Sequence, residues 1–423
     1  MQKEKNPGSA FFWNMVGSSC YSVASFVYLM VVTRTCGVET AGFFSLSYAT
    51  AQLLLTIGRY GMRTYHATDL DGQYSFRVYT YARVLTCTAM MAIGLAYSLI
   101  SFDGQYILIS VLVILMKMVD AVEDLFHGQL QRTYHVETMG KLLAVRNVFS
   151  AAAFCVILVS GGSLLTACFV TAFSSLLFCL GINVVGTAGC GGFRDGVPSQ
   201  ASAGRAAFRL LKYCSPIFLG TFLSLLLYNI PKYAMAGILP DEYQTYYSIL
   251  FMPSFVISLL CEFLFKPTIT TIARLWQERQ WKRFAAMVRT ILLLIAGADV
   301  MILLGGDLIG RRLLELVYGV DLSGFRLHFL VLLAGGGFSA EVYMLYNILI
   351  AVRKDRLMLP IYGLAAILTV LPVRWMVTEF RMMGAAACYL YSCFLLFVFF
   401  AANLIYVFRR SKGNDNTGTK TGI

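Results

Sequence analysis

The sequence predicts an all-α integral membrane protein with about twelve transmembrane helices. Two observations lead to this fold class. Of the 423 residues, 58% are hydrophobic and 13% are charged, whereas soluble domains are about half apolar and a quarter charged. The apolar residues also form runs long enough to cross a bilayer, which requires roughly 20 residues in a helix. These runs leave almost no chain for a soluble domain.

A window of about 19 residues divides the chain into successive candidate spans. In order, they are 11–35, 40–62, 79–101, 105–127, 140–160, 163–187, 208–238, 244–271, 285–305, 325–351, 357–377 and 383–408. Their even number places both termini on the same side of the membrane.

The distribution of Lys and Arg predicts which side that is. Cytoplasmic loops collect basic residues, and the loops on the side of the termini hold all but seven of the 34 in this chain. The seven others are Arg34, Lys232, Arg311, Arg312, Arg326, Arg374 and Arg381. Both termini are therefore predicted to be cytoplasmic. The net charge of +12 has the same explanation, so no nucleic-acid partner is predicted.

A flexible segment near mid-chain predicts two domains. The stretch AGCGGFRDGVPSQASAGRAA (188–207) is rich in Gly, Ser and Ala, a composition typical of linkers. It would separate an N-terminal six-helix bundle, 1–187, from a C-terminal one, 208–410, with a disordered cytoplasmic tail over 411–423. Six spans, a linker and six spans is the pattern of a duplicated transporter.

No pattern in the chain indicates an enzyme. We find no nucleotide-binding loop, kinase motif or Ser-His-Asp set. The cysteines are scattered singly without a CxxC, and the four histidines have no metal-ligand spacing. We therefore expect no catalytic residues, no metal and no cofactor.

The stretch LLLYNIPKYAMAGIL (225–239) places polar residues within an apolar run. Pro231 removes a backbone donor and is predicted to break the helix. Open backbone at membrane depth survives only against protein or a water-filled cavity, so Lys232 and Asn229 are interpreted as cavity-facing. The alternative is a long, tilted span whose lysine extends to the headgroups.

A second concentration of charge is KMVDAVEDLFHGQLQR (117–132). Its acidic and histidine side chains at helical spacing are Asp120, Glu123, Asp124 and His127. Lys117 or Arg146 could pair with them, as a gate network or a cation site at the cytoplasmic mouth. A solvated helix end is the alternative, and basic residues near span ends, such as Arg59 and Lys117, are expected to extend to the headgroups.

Three further carboxylates lie inside predicted spans. Glu262 and Lys266 are four residues apart, a spacing that favours an intrahelical ion pair. Asp299 and Glu341 have no charged neighbour in sequence, so each needs a partner from another span or a proton. Such carboxyls suit gating or coupling to a cation gradient.

Several stretches resemble the polysaccharide flippases (Wzx-like) of the multidrug/oligosaccharidyl-lipid/polysaccharide (MOP) exporter superfamily. The first-half stretches are FFWNMVGS (11–18), TDLDGQYSFRVYTYAR (68–83) and KMVDAVEDLFHGQLQR. The second-half stretches are NIPKYA (229–234), ILFMPSFVISLL (249–260), FKP (265–267), YGVDLSGFR (318–326) and GGGFSA (335–340).

This resemblance implies two six-helix bundles around a central cavity that opens alternately to each side. It implies a transporter in the bacterial cytoplasmic membrane that flips polyprenyl-pyrophosphate-linked oligosaccharide to the outer leaflet. The basic residues placed to bind the pyrophosphate, by charge and depth, are Arg34, Arg146, Lys232 and Lys266. Expected partners are this lipid, membrane lipids, H⁺ or Na⁺, and other glycan-assembly proteins.

Three other functions are compatible with the same spans. A multidrug or metabolite antiporter of the same fold should have an acidic or apolar cavity, which the surplus of Lys and Arg disfavours. A membrane glycan polymerase or ligase should carry a large outer loop, and the predicted outer loops are short. A scaffold within a glycan-assembly complex would merely tolerate the polar residues.

Overall fold

The computed structural model describes residues 7–69, 72–190, 203–265, 268–354 and 357–416. Within those ranges the chain is helical and contains no β-strand. It divides into two compact units, Met1–Phe222 and Leu223–Ile423.

The first unit contains the first eight helices and most of the ninth. They are α1 (Pro7–Cys36), α2 (Val38–Arg59), α3 (Met62–Thr68), α4 (Phe76–Ser101), α5 (Gln105–Arg132), α6 (Val136–Val159), α7 (Leu164–Phe178), a π-helical turn (Cys179–Asn183), α8 (Val184–Gly189) and α9 (Ala203–Met235).

The second unit contains the end of α9 and six further helices. They are α10 (Glu242–Phe265), α11 (Thr268–Gln277), α12 (Trp281–Gly305), a π-helical turn (Gly306–Gly310), α13 (Arg311–Tyr318), a 3₁₀ turn (Ser323–Phe325), α14 (Arg326–Ala351) and α15 (Met358–Asn416). The last of these is two helical segments that meet at Arg381, whose φ of 53° and ψ of −134° are not helical.

The predicted fold class is confirmed. In the described part of the chain, ten helices are long and apolar enough to cross a membrane. One of the ten, α15, covers the last two predicted spans, and α10 coincides with the predicted span 244–271. Every predicted span therefore corresponds to a helix, because a run of apolar residues must satisfy its backbone internally to lie in lipid.

One helix occupies the centre of each unit. In the first unit α5 packs against α2, α3, α4 and α7, and in the second unit α14 packs against α10, α12 and α15. Both are the fourth predicted span of their half of the chain. Most side chains of α5 from Ile109 onward are buried, so charges on this helix must find partners within the protein.

The boundary between the units falls inside α9 and not in the segment 188–207. The first turns of α9 belong to a buried apolar cluster with α3 and α4 that includes Ala207, Leu210, Met62 and Val78. These contacts attach the start of the helix to the first unit. Residues 191–202 of the predicted linker lie outside the described residues.

Two sequence-based predictions of local structure are wrong. The helix α9 continues through Pro231 and ends at Met235, because a proline removes one backbone donor while the flanking hydrogen bonds can still form. The tail predicted to be disordered from 411 is helical as far as Asn416. Each added residue of an existing helix gains a hydrogen bond, so α15 extends beyond its apolar run, and 417–423 lie outside the described residues.

Candidate functional site

The candidate site is a cluster of buried charges around α5, here called the α5 cluster. The members on α5 itself are Lys117, Asp120, Glu123, Asp124 and His127, and all of them are buried. Their spacing of three and four residues places them along one side of the helix. The other members come from neighbouring helices, and they are Arg59, Arg63, Arg83, Arg146 and Asn183.

Arg146 on α6 joins two of the carboxylates. Its Nη2 lies 2.6 Å from Oδ1 of Asp120 and 2.8 Å from Oε2 of Glu123. Asn183, in the π-helical turn, donates to Oε1 of Glu123 over 3.4 Å. The predicted pairing of Arg146 with the carboxylates of α5 is present, and the guanidinium, 3% exposed, holds this half of the cluster together.

Lys117 lies inside the protein and not at the headgroups. Its Nζ is 3.1 Å from Oδ2 of Asp120 and lies 4.9 Å and 4.5 Å from the ring centres of Tyr21 and Tyr48. Aromatic faces attract cations, most strongly when the site excludes water. The prediction that this lysine extends to the headgroups is wrong, because a carboxylate and two rings stabilise it within the helix bundle.

Asp124 lies close to the three remaining arginines of the α5 cluster. Nη2 of Arg83 lies 2.9 Å from its Oδ2, while Arg63 and Arg59 approach its Oδ1 at 3.7 Å and 4.0 Å. Arg83 also donates to the carbonyl of Gly58. Arg59 and Arg63 are partly exposed, whereas Arg83 is buried, so the cluster extends from the interior of the unit to its surface.

The α5 cluster has more basic than acidic groups. The basic members are Arg59, Arg63, Arg83, Lys117 and Arg146, and the acidic members are Asp120, Glu123 and Asp124. Several of its buried nitrogens, the Nε atoms of Arg59, Arg83 and Arg146 and Nε2 of His127, have no hydrogen-bond partner. The burial of these residues also excludes the alternative of a solvated helix end. The cluster can therefore accept further anionic oxygens.

Lys232, in the second unit, is a buried lysine. It is 9% exposed, its Nζ lies 5.9 Å from the ring centre of Phe251, and no salt bridge to it is present among the described residues. Gln244 donates to its backbone carbonyl over 2.8 Å. Asn229 donates to Leu225 of its own helix over 2.9 Å, so part of its hydrogen-bonding capacity is used within α9.

Asp299 and Glu341, isolated in sequence, come together between α12 and α14. The carboxylate of Asp299 packs so closely on Gly337 that a Cβ there would overlap it. Glu341 lies one turn further along α14, is 8% exposed, and is near enough to Asp299 for the two charges to interact. The described residues provide neither carboxylate with a basic partner, and Oδ1 of Asp299 has no hydrogen-bond partner.

Three predicted site residues remain. Arg34 is exposed near the end of α1. Lys266 and the side chain of Glu262 lie outside the described residues. Within the described ranges, no three Asp, Glu, His or Cys side chains form a group that could hold a metal ion.

Sequence reasoning missed several members of the α5 cluster. Arg83 falls among the basic residues of the predicted cytoplasmic side. Neither Asn183 nor Tyr48, whose ring lies beside Lys117, carries a charge or motif that marks it. One feature of the sequence could have indicated Arg83. It lies two turns after the start of α4 at Phe76, and a charge this far into a membrane-spanning helix requires a partner.

Comparisons with known proteins identify the fold. No family model and no curated protein matches the chain. Among solved structures, an inward-facing multidrug resistance MATE family transporter of the MOP superfamily superposes with a TM-score of 0.69 at 11% identity, over 94% of this chain and 99% of that one. A eukaryotic MATE transporter gives 0.63 at 15% identity, over 94% of both chains.

A third solved structure is a MOP superfamily transporter from Pyrococcus furiosus, described as having a binding pocket of reversed polarity. It superposes with a TM-score of 0.58 at 12% identity, over 96% of this chain and 95% of that one. The chain therefore has the MOP transporter fold of two helix bundles and is a multi-pass membrane protein. The expected fold is confirmed, and identities this low show the fold alone.

Proposed function

We propose that this protein is a transporter, not an enzyme, that flips polyprenyl-pyrophosphate-linked oligosaccharide from the inner to the outer leaflet of the bacterial cytoplasmic membrane. It would act by alternating access and supply surface polysaccharide biosynthesis. The observation that carries the proposal is the excess of basic groups over carboxylates in the α5 cluster, counting the partly exposed Arg59 and Arg63, because a cluster of this charge suits an anionic substrate.

The cluster offers the chemistry that a pyrophosphate needs. Arginine and lysine form charge-assisted hydrogen bonds to phosphate oxygens, and arginine can bind two oxygens at once. In the resting state Asp120, Glu123 and Asp124 take these positions. A pyrophosphate would displace these carboxylates from Arg146 and Lys117. Between transport cycles the carboxylates would serve as counter-ions for the same cations.

Lys232 supplies a second cationic contact in this proposal. Lys232 is buried in the last turn of α9, and a buried charge is costly unless it is paired; among the described residues no carboxylate offsets it. A substrate phosphate would provide the missing counter-ion. H⁺ or Na⁺ coupling through Asp299 and Glu341, and association with other glycan-assembly proteins, belong to the same proposal.

The test is transport in phosphatidylcholine vesicles that contain the purified protein. A fluorescent polyprenyl-pyrophosphate oligosaccharide is placed in the inner leaflet, and its arrival outside is read by a lectin. We expect Lys232→Met to slow arrival at least about tenfold, the effect of losing a charge-assisted hydrogen bond. Lys141→Met, an exposed lysine paired with Glu137, is the matched control and should transport normally.

A cation-coupled multidrug antiporter is the second candidate. The carboxylates of Asp299 and Glu341 favour it, and two of the similar structures are multidrug or MATE transporters. The same vesicles, loaded with a cationic dye and given a proton or sodium gradient, separate the two functions. Dye movement without movement of the lipid-linked saccharide would replace the flippase proposal with this one.

A further inference from the structure

A groove of about 610 Å³ lies between α4 and α5 in the first unit. On α4 its lining extends from Thr80 to Leu95, about 22 Å at the rise of an α-helix. Its floor includes the buried side chains of Cys87, Leu125 and Phe126. The volume is in the range of sites that hold small ligands, and the shape is long enough for an extended chain.

The groove is open along its length. Val84, Leu95 and Leu180 line it and are themselves exposed. The helices α4 and α5 are long and apolar enough to cross a membrane, and an opening between such helices that meets the lipid at bilayer depth is surrounded by hydrocarbon without water. Apolar walls in such surroundings are filled by a hydrocarbon chain.

One end of the groove is cationic. Arg83 belongs to the lining and is 3% exposed, and its Nε–H has no acceptor. Arg83 lies seven residues after the start of α4 at Phe76, which is about 10 Å along the helix axis. A buried guanidinium at this depth with a free donor attracts an anionic oxygen.

We infer that this groove, the α4–α5 groove, binds the isoprenoid chain of a prenyl phosphate, with the phosphate at Arg83. The inference rests on the proposed function, because it identifies where the lipid part of that substrate is held. Met91 and Met118 line the groove, and flexible methionine side chains adapt to a methyl-branched chain.

A prenyl phosphate fits the arrangement better than a membrane phospholipid. In a phospholipid, a glycerol unit and ester groups separate the phosphate from two chains, and the phosphate stays at the headgroup level. In a prenyl phosphate a single chain begins at the phosphate oxygen itself. With this geometry the phosphate can reach the buried guanidinium of Arg83 while the attached chain continues into the apolar part of the same groove.

The position of Arg83 connects the groove to the α5 cluster. Its Nη2 lies 2.9 Å from Asp124, so a phosphate at Arg83 competes with that carboxylate. Asp124 retains Arg63 and Arg59 nearby and is not left without a counter-ion. Capture of the lipid would therefore loosen one contact of the cluster that is proposed to receive the pyrophosphate.

Photolabelling tests this inference. The probe is a polyprenyl phosphate with a diazirine in its chain, and the purified protein is held in phosphatidylcholine nanodiscs. We expect labelled peptides from α4 and α5. The variant Ala92→Trp fills the groove and should reduce this labelling about tenfold or more, equivalent to 1.4 kcal/mol of binding free energy. Ala89→Trp, exposed on α4 but outside the groove lining, should label normally.

A second variant tests the phosphate contact. Arg83→Gln should weaken labelling by the prenyl phosphate but not by the corresponding prenyl alcohol. Equal labelling of Ala92→Trp and Ala89→Trp, or equal competition by phosphatidylglycerol and by unlabelled prenyl phosphate, would overturn the inference.

Failure of the inference can be distinguished from failure of the proposed function. Flipping that continues normally in Ala92→Trp, together with labelling elsewhere, rejects the groove alone. Groove labelling by the prenyl phosphate without any flipping of lipid-linked oligosaccharide supports the groove and rejects the flippase function.

Discussion

The buried charges around the two central helices, α5 and α14, differ in whether they have partners of opposite charge. Every carboxylate of the α5 cluster has a basic partner, with distances of 2.6–3.1 Å at the closest pairs. Around α14, Glu341 and Asp299 interact with each other, and no basic partner is present in the described residues. For Lys232 in the same unit, too, the described residues show no counter-ion.

This difference separates charges that already have internal counter-ions from charges for which the described residues show none. Removing one member of a buried ion pair leaves the other uncompensated and costs 3–5 kcal/mol in typical cases. Removing a buried charge that has no partner relieves a desolvation penalty instead. The first unit should therefore lose stability on neutralisation, whereas the second unit should keep its stability and lose transport.

The largest effect is expected at Arg146. Arg146→Ala should lower the free energy of unfolding by about 3–5 kcal/mol, because Asp120 and Glu123 lose their shared guanidinium. Thermal unfolding in nanodiscs measures this. Adding Glu123→Gln to Arg146→Ala should recover part of the loss, and a single variant as stable as the parent would contradict the structural role.

The opposite sign is expected at Lys232. Lys232→Met should leave the protein as stable as the parent or raise its free energy of unfolding by about 1–3 kcal/mol, since a buried polar group without a partner costs about this much and the described residues show no counter-ion for this lysine. The same unfolding measurement applies, alongside the flipping assay. Strong destabilisation would mean that Lys232 forms a stabilising ion pair. The buried charges of the two units would then not differ in the way described above.

A substitution at Gly337 tests the close packing of the Asp299 carboxylate in the second unit. Gly337→Ala places a methyl group against the carboxylate of Asp299, and overpacking of this kind costs about 1–3 kcal/mol. The double variant with Asp299→Ala should recover most of the loss in a double-mutant cycle. Independent, additive effects would show that the two residues are not in contact.

The smallest effect is expected at Lys141. Its pair with Glu137, 2.6 Å long, is partly exposed, and exposed pairs contribute about 0–1 kcal/mol. Lys141→Ala should therefore change the midpoint of thermal unfolding little. A loss of stability as large as that of Arg146→Ala would mean that the exposed pair contributes as much as the buried pairs of Arg146.

The sequence predicted part of the candidate site. Asp120, Glu123 and Asp124 could be placed on one face from helical spacing, and Arg146 was correctly named as a partner. Lys117, the other named partner, also pairs with Asp120, whereas the expectation that it extends to the headgroups is wrong because neighbouring helices bury the side chain. Arg83 could not be identified, since its contact with Asp124 joins two helices whose relative rotation is not encoded locally.

Hydrophobic patterning was sufficient to define the membrane class, the order of the spans and the helical fold. The reason is that lipid admits only helices and closed barrels, so an apolar run of about 20 residues has few structural options. The partner of each buried charge was decided only by tertiary packing. Helix rotation and tilt depend on contacts with neighbouring helices, and those contacts paired the charges on α5 and buried Lys232 beside the ring of Phe251.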